Sequence, residues 1–363
     1  MRNLEQLVCP HILAMQPYSS ARSEFKGSAT VFLDANENTF RKAYNRYPDP
    51  LQNALKSKIA RLKNIQAQQL FLGNGSDEAI DLLLRIFCES GKDTIITLPP
   101  TYGMYDVAAN LGNVKNIEIP LDKNYQPRVP AILEAQSEQT KLLFICSPNN
   151  PTGNDIELST IETLLQKFQG IVVVDEAYID FSNQSSCLEW LDRYDNLVVL
   201  QTFSKAWGMA GIRLGMAFSH PQIIALFNKV KPPYNINQLT QEYAIIALDK
   251  TDELAYQTLA ILAERTRLKR ALEQFPFVEC VYPSSANFLL MRVKAPNALY
   301  RYLLENGIII RNRSAVLGCE GCLRVSIGTT AENELLLTAL ENYLIKDNEQ
   351  KSIVPRSRWD YSH

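Results

Sequence analysis

The chain has 363 residues, 46% hydrophobic and 21% charged, with a formal net charge of −2. That length exceeds what one ordinary core supports, so a large domain and a smaller one are expected. The near-neutral balance makes no electrostatic case for nucleic acid or an anionic membrane, and no run approaches the roughly 20 apolar residues of a membrane span.

The opening MRNLEQLVCPHILAMQPYSS interrupts its apolar residues where a secretory signal is continuous, so a cytoplasmic location is expected. Further on, LFLGNGSDEAIDLLLRIF sets Gly73, Gly75, Ser76 and Asp77 between a strand and a helix that carries Ile80, Leu83, Leu84 and Phe87. Ser76 is the expected N-cap, and the unpaired N–H groups of the first turn make a ready anion site. The third glycine of the dinucleotide fingerprint is missing, which weakens a nicotinamide reading.

Four short apolar runs then read as buried strands: Thr94–Leu98, Lys141–Cys146, Ile171–Tyr178 and Asn196–Phe203. Near-continuous apolar strands suit a parallel sheet covered on both faces, and the stretch Leu158–Gln169 between them has helical spacing. This alternation predicts an α/β fold, a mostly parallel sheet flanked by helices, with its ligand at the carboxyl ends of the strands.

Each run ends in a polar cluster. TLPPTYGMY presents Tyr102 in a Pro/Gly loop, either as a packing residue or as a stacking platform. In CSPNNPTG, Asn150 precedes Pro151, which favours extended backbone and permits a cis bond. IVVVDEAY buries Asp175 at the end of an apolar run, where an unpaired carboxylate titrates up unless it finds a cationic partner, and Tyr178 lies just beyond. In LVVLQTFSKAWGMAGIRLG, Lys205 stands at the mouth of a buried strand, and Arg213 follows eight positions later. An amine placed where desolvation is costly is suited to act as a nucleophile.

After about residue 250 the pattern changes. A long amphipathic helix is expected over Asp252–Phe275, followed by the strands ANFLLMRV and CLRVSIGT, with a helix in APNALYRYLLENG before IIIR. The expected division is an N-terminal arm with part of the small domain (1–40), a large domain (41–250), a small α+β domain (251–346) and a polar tail (347–363). Seven scattered cysteines read as reduced thiols, and the lone pair Cys319 and Cys322 reads as a loop before a strand rather than a metal site. The three histidines, His11, His220 and His363, suggest neither a catalytic triad nor a metal centre.

An amine, a buried carboxylate, an aromatic ring, hydroxyl and amide donors and an anion cradle with an arginine are together what pyridoxal phosphate requires. That cofactor needs a lysine for its Schiff base and a carboxylate to keep its pyridine nitrogen protonated. Its phosphate suits a helix N-terminus and a guanidinium.

The motifs SPNNPTG, DEAY, SKAWGMAGIRLG and LRVSIGT resemble those of fold-type I pyridoxal-phosphate aminotransferases. A further set, PYSSAR, LDANEN, NRYPDP, GKDTIITLPPTYGMY, GIIIR and CLRVSIGT, is similar to the branch that transaminates L-histidinol phosphate with 2-oxoglutarate in histidine biosynthesis. The resemblance implies that Lys205 bonds the cofactor and then moves the proton, that Asp175 pairs with the pyridine nitrogen, and that Asn150 and Tyr178 bond the ring hydroxyl. It implies that Tyr102 stacks on the ring and that Ser76, Asp77, Thr202, Ser204 and Arg213 surround the phosphate. Tyr47 is implied to reach the cofactor phosphate of a neighbouring subunit, making a homodimer with shared active sites. Arg324, helped by Arg311 and Tyr18, is implied to bind the substrate phosphate. The chain departs from many relatives at Thr39 and Phe40, where they carry Pro and Tyr. Alternatives on the same scaffold are an aromatic amino-acid aminotransferase and a phosphothreonine-type decarboxylase. A ligand sensor would need an appended DNA-binding segment, and the chain has neither the length nor the basic region for one.

Overall fold

The computed structural model describes residues 3–19, 21–25, 27, 29–40 and 43–353. The chain forms two compact units, Met1–Asn150 with Asn154–Thr258, and Pro151–Gly153 with the chain from Leu259 onward. The N-terminal segment groups with the larger unit, not the smaller one as the sequence pattern suggests. The reason is packing: Leu7, Val8, Cys9 and Ile12 are buried in the larger unit's core, and the Cys9 N–H donates to the Ile86 carbonyl at 2.8 Å. The division after Thr258 falls inside a continuous helix, Thr251–Leu272, where composition shows no break.

The larger unit is built on seven strands: β1 (Leu70–Asn74), β2 (Thr94–Thr97), β3 (Lys115–Glu118), β4 (Thr140–Cys146), β5 (Ile171–Asp175), β6 (Leu197–Thr202) and β7 (Leu214–Ser219). Their order is β1-β7-β6-β5-β4-β2-β3. The pairs β2–β3, β2–β4, β4–β5 and β5–β6 are parallel, whereas β7 runs antiparallel to both β6 and β1. Nothing in the apolar pattern foretells that reversal.

Alternate residues of the central strands enter two cores, as a pleated strand requires. Phe144, Val173, Val198 and Leu200 face one core, with Ile80, Leu83 and Phe87 of the helix Ser76–Phe87. Leu143, Ile145, Val172, Val174 and Val199 face the other, with Ile161, Leu164 and Leu165 of the helix Leu158–Lys167. Because both faces are covered, strand residues are apolar without alternation, which is the texture the sequence displays. Only the carboxyl edge of the sheet is left for polar chemistry.

The smaller unit has four antiparallel strands, β8 (Val278–Val281), β9 (Phe288–Val293), β10 (Arg311–Asn312) and β11 (Cys322–Ser326), in the order β10-β11-β9-β8. One face, with Leu289, Met291, Leu323 and Val325, packs on Leu268, Leu272, Leu299, Leu303 and Leu340 from its helices. Of the IIIR run only Arg311 joins the sheet. Cys319 and Cys322 close a turn through a 2.9 Å main-chain hydrogen bond, and both are buried. The last helix runs from Thr330 to Ile353, into the stretch expected as a polar tail, and positions 354–363 lie outside the described residues. Among the described residues no helix is long and apolar enough to cross a membrane.

Phe144 is wholly buried in β4 and stacks on Tyr105 at 4.6 Å between ring centroids. Phe144→Ala should lower unfolding free energy by about 3–5 kcal/mol, the range for truncating a core aromatic, as read from chemical denaturation.

Candidate active site

The polar residues singled out above gather along one edge of the seven-stranded sheet. Loops after β1, β2, β4, β5 and β6 supply Ser76, Tyr102, Asn150, Tyr178 and Lys205 respectively. Since β7 is antiparallel, its amino end lies on that same edge and delivers Arg213.

Asp175 is the last residue of β5 and is 2% exposed. The Tyr105 hydroxyl donates to its Oδ2 at 2.7 Å, and the Ala177 N–H donates to its Oδ1 at 3.1 Å. Burial pushes the carboxyl up to about 6, and the Tyr105 and Ala177 hydrogen bonds and the charge of Lys205 oppose that rise. Tyr105 is itself buried, and its phenol is pushed well up by that burial and by Asp175. This tyrosine is a site residue that the sequence reading missed. The available signal was its place three residues after Tyr102 in TYGMY, at the start of the helix Met104–Leu111.

Lys205 follows β6, with its Nζ 5.4 Å from the centre of the Tyr178 ring. Tyr178 is nearly buried, and the Asn150 Nδ2 donates to its hydroxyl at 3.4 Å. Within CSPNNPTG the cis bond is Ser147–Pro148, not Asn150–Pro151. The main chain there is pinned on both sides: the Ser147 N–H donates to Asp175 O at 2.9 Å, and the Asn149 N–H to Asn154 O at 2.8 Å. At the end of β6 the Thr202 hydroxyl donates to Ser204 Oγ at 2.9 Å, and the Ser204 N–H donates back to Thr202 Oγ1 at 3.1 Å.

The helix Ser76–Phe87 begins one residue earlier than an N-capping Ser76 requires. Gly75 is the cap, with φ 76° and ψ 169°, a conformation closed to serine, and no side chain caps the first turn. A Cβ on Gly75 would lie 2.7 Å from the Arg213 guanidinium, and one on Gly215 would lie 2.2 Å from the Ser76 nitrogen. Bare backbone therefore lets β1, β7 and the helix start converge, with uncapped N–H groups and Arg213 around the gap. Asp77 accepts from the Tyr102 hydroxyl at 3.1 Å and lies 3.5 Å from Arg213. Tyr102 meets Tyr105 edge to face, with centroids 5.6 Å apart.

The remaining predicted residues stand elsewhere. Tyr47 is half exposed and stacks on Tyr234, with centroids 4.5 Å apart. Tyr18 is exposed. In the smaller unit, Arg311 of β10 is directly opposite Arg324 of β11, and Arg324 lies over the Phe288 ring at 5.1 Å.

A lysine and a buried carboxylate on the carboxyl edge of an α/β sheet, with uncapped helix N–H groups and an arginine close by, mark a site suited to an anionic ligand. The comparisons place it more closely. Residues 24–340 match the family described as aminotransferase class I and II. The chain is 54% identical to histidinol-phosphate aminotransferase of Parabacteroides distasonis, over 94% of this chain and 99% of that one. It is 51% identical to the enzyme of the same name from Bacteroides thetaiotaomicron, with the same shares covered. The solved histidinol-phosphate aminotransferase from Clostridium acetobutylicum superposes with a TM-score of 0.77 at 27% identity, covering 84% of this chain and 92% of that one. The chain thus belongs to the class I and II aminotransferase family. That family depends on pyridoxal phosphate, and the uncapped helix start, the glycine-lined gap and the buried carboxylate fit its phosphate and pyridine nitrogen.

Asp175 supplies a test that needs no cofactor. Its folded pKa lies above the ordinary value of 3.8, so the folded state holds its proton longer than the unfolded chain does. The resulting destabilisation grows from about pH 4, is complete above about pH 6, and amounts to about 3 kcal/mol. Relative to wild type, cofactor-free Asp175→Asn should therefore gain stability between about pH 4 and pH 7.5 in thermal melts.

Proposed function

We propose that the chain transfers the amino group of L-histidinol phosphate to 2-oxoglutarate, as a step of histidine biosynthesis in the cytoplasm, and that it works as a homodimer. When bound, pyridoxal phosphate supplies an aldehyde carbon that accepts the amino group and a ring that takes up the electrons left when the α-proton departs. In this reading the larger unit is the cofactor domain, and each residue of its sheet edge has a task. Asp175 holds a negative charge against the pyridine nitrogen, and Tyr105 and Ala177 N–H keep its two oxygens oriented. Lys205 Nζ would hold the aldehyde carbon and, as a free amine, would carry the α-proton. Tyr178 and Asn150 bond the ring hydroxyl, and Tyr102 covers the ring face. The Ser76 and Asp77 amides, Thr202, Ser204 and Arg213 bind the phosphate.

The substrate assignment rests on the opposed pair Arg311 and Arg324. Directly opposite residues of an antiparallel pair project from the same face with Cβ atoms about 5 Å apart. Two guanidinium groups held so close repel unless a doubly charged anion lies between them, and a phosphate monoester is such an anion. Tyr18 adds a hydroxyl in this reading. Tyr47, exposed on its own subunit, serves the cofactor phosphate of the neighbour.

The reading is tested by following glutamate formation from purified protein with histidinol phosphate and 2-oxoglutarate. Brisk turnover is expected, with a loss of about ten-thousand-fold in Lys205→Ala. Turnover of aromatic amino acids alone, or carbon dioxide release from a phosphorylated amino acid, would replace the substrate assignment. Arg324→Lys exchanges a fork for a point charge, so it should raise KM for histidinol phosphate about 10- to 100-fold and leave cofactor affinity unchanged.

A further inference from the structure

Lys231 is a buried cation with no part in the chemistry above. It caps the C-terminus of the helix Pro221–Val230 and is 6% exposed. Its ammonium donates to three main-chain carbonyls, Pro233 O at 2.7 Å, Pro50 O at 2.8 Å and Pro232 O at 3.2 Å. An ammonium has three N–H donors, and an unmatched buried charge is costly, so three carbonyls around it form a complete shell. The carbonyls come from two segments far apart in sequence, YPDP (47–50) and KPPY (231–234). Prolines cannot donate main-chain hydrogen bonds, so these loops cannot knit themselves together as a ladder would. The side chain of Lys231 supplies the missing donors.

The facing charged groups are few. Asp49 and Glu78 favour the ammonium, burial disfavours it, and together they leave its pKa lowered to about 8. Lys56, also buried, is the like charge beside it. Gln52 reinforces the clamp, its Nε2 donating to the same Pro50 carbonyl at 2.8 Å and to Asn235 Oδ1 at 3.3 Å.

The first clamped segment begins with a tyrosine and the second ends in one, and the two rings, Tyr47 and Tyr234, stack with an interplanar angle of 18°. The 231–237 loop has a separate anchor. The Asn235 Nδ2 donates to Leu72 O at 2.9 Å, and the Asn74 Nδ2 donates to Asn235 O at 2.7 Å, which ties the loop to β1. The 47–50 strap is tied at its start too, the Tyr47 N–H donating to Glu37 Oε1 at 2.7 Å, and Lys231 fixes its far end at Pro50.

We propose that Lys231 is a positioning residue for Tyr47, an internal cation that clamps the 47–50 strap so that the Tyr47 hydroxyl is held ready for the neighbouring subunit's cofactor phosphate. This rests on the reading of Tyr47 given above. The test is a double-mutant cycle on the cofactor dissociation constant, measured by titrating pyridoxal phosphate into the cofactor-free dimers of wild type, Lys231→Met, Tyr47→Phe and the double variant. Each single variant should bind cofactor about tenfold more weakly, and the double variant no more weakly than the worse single. Lys231→Gln, which keeps two N–H donors, should recover part of the loss, and it replaces Lys231→Met in the cycle if the latter does not fold. Additive losses, or wild-type affinity in Lys231→Met beside weakened Tyr47→Phe, would overturn the positioning role. Wild-type affinity in Tyr47→Phe would instead overturn the reading of Tyr47, and the role of Lys231 with it.

Discussion

A carboxylate sunk into the end of a central strand governs the larger unit. Asp175 is out of water, and burial disfavours its charged form and pushes the carboxyl up. The fold opposes this with a phenol and an amide aimed at its two oxygens and with the charge of Lys205 nearby. Those partners have requirements of their own. Tyr105 needs the Phe144 ring beneath it, and Phe144 needs β4 paired with β5 in the register that sets Cys146 against Asp175. In the proposed reading, the pyridine nitrogen of the bound cofactor would add a second cation to this carboxylate.

The second constraint is steric. The anion cradle forms only because two elements approach at the backbone, and Gly215 leaves room for the Ser76 nitrogen where any Cβ would collide. That approach follows from the antiparallel β7, which turns Arg213 back to the edge where the parallel strands end. Arg213 itself adopts φ 53°, so its placement depends on the tight turn that precedes β7.

Much of this was legible in the residues. The apolar runs marked β2, β4, β5 and β6 to within three residues, and their bareness implied helices on both faces. Lys205, Asp175, Asn150 and Tyr178 stood out because each follows such a run, and a polar group there is either functional or expensive. Ser76 was misread as a cap because serine is a common one, whereas the backbone needs a positive φ at that point, which only Gly75 supplies cheaply. Tyr105 was invisible because a buried tyrosine reads as core until its hydroxyl finds a partner, and that partner lies 70 residues away. The N-terminal segment was assigned to the wrong unit because its few apolar residues carry no signal of which core they join.

What the sequence determined by itself was chemical kind: an α/β chain, a lysine and a carboxylate at strand ends, glycines and an arginine suited to a phosphate. These are local properties, since hydrophobic period, residue type and proximity along the chain suffice to read them. What tertiary structure alone decided was pairing across distance. The reversal of β7, the bond from Tyr105 to Asp175, the opposition of Arg311 and Arg324, and the three carbonyls around Lys231 all join segments that chain order keeps apart. Such contacts depend on which strand lies beside which, and that choice is made by the packing of the whole unit, not by any stretch within it.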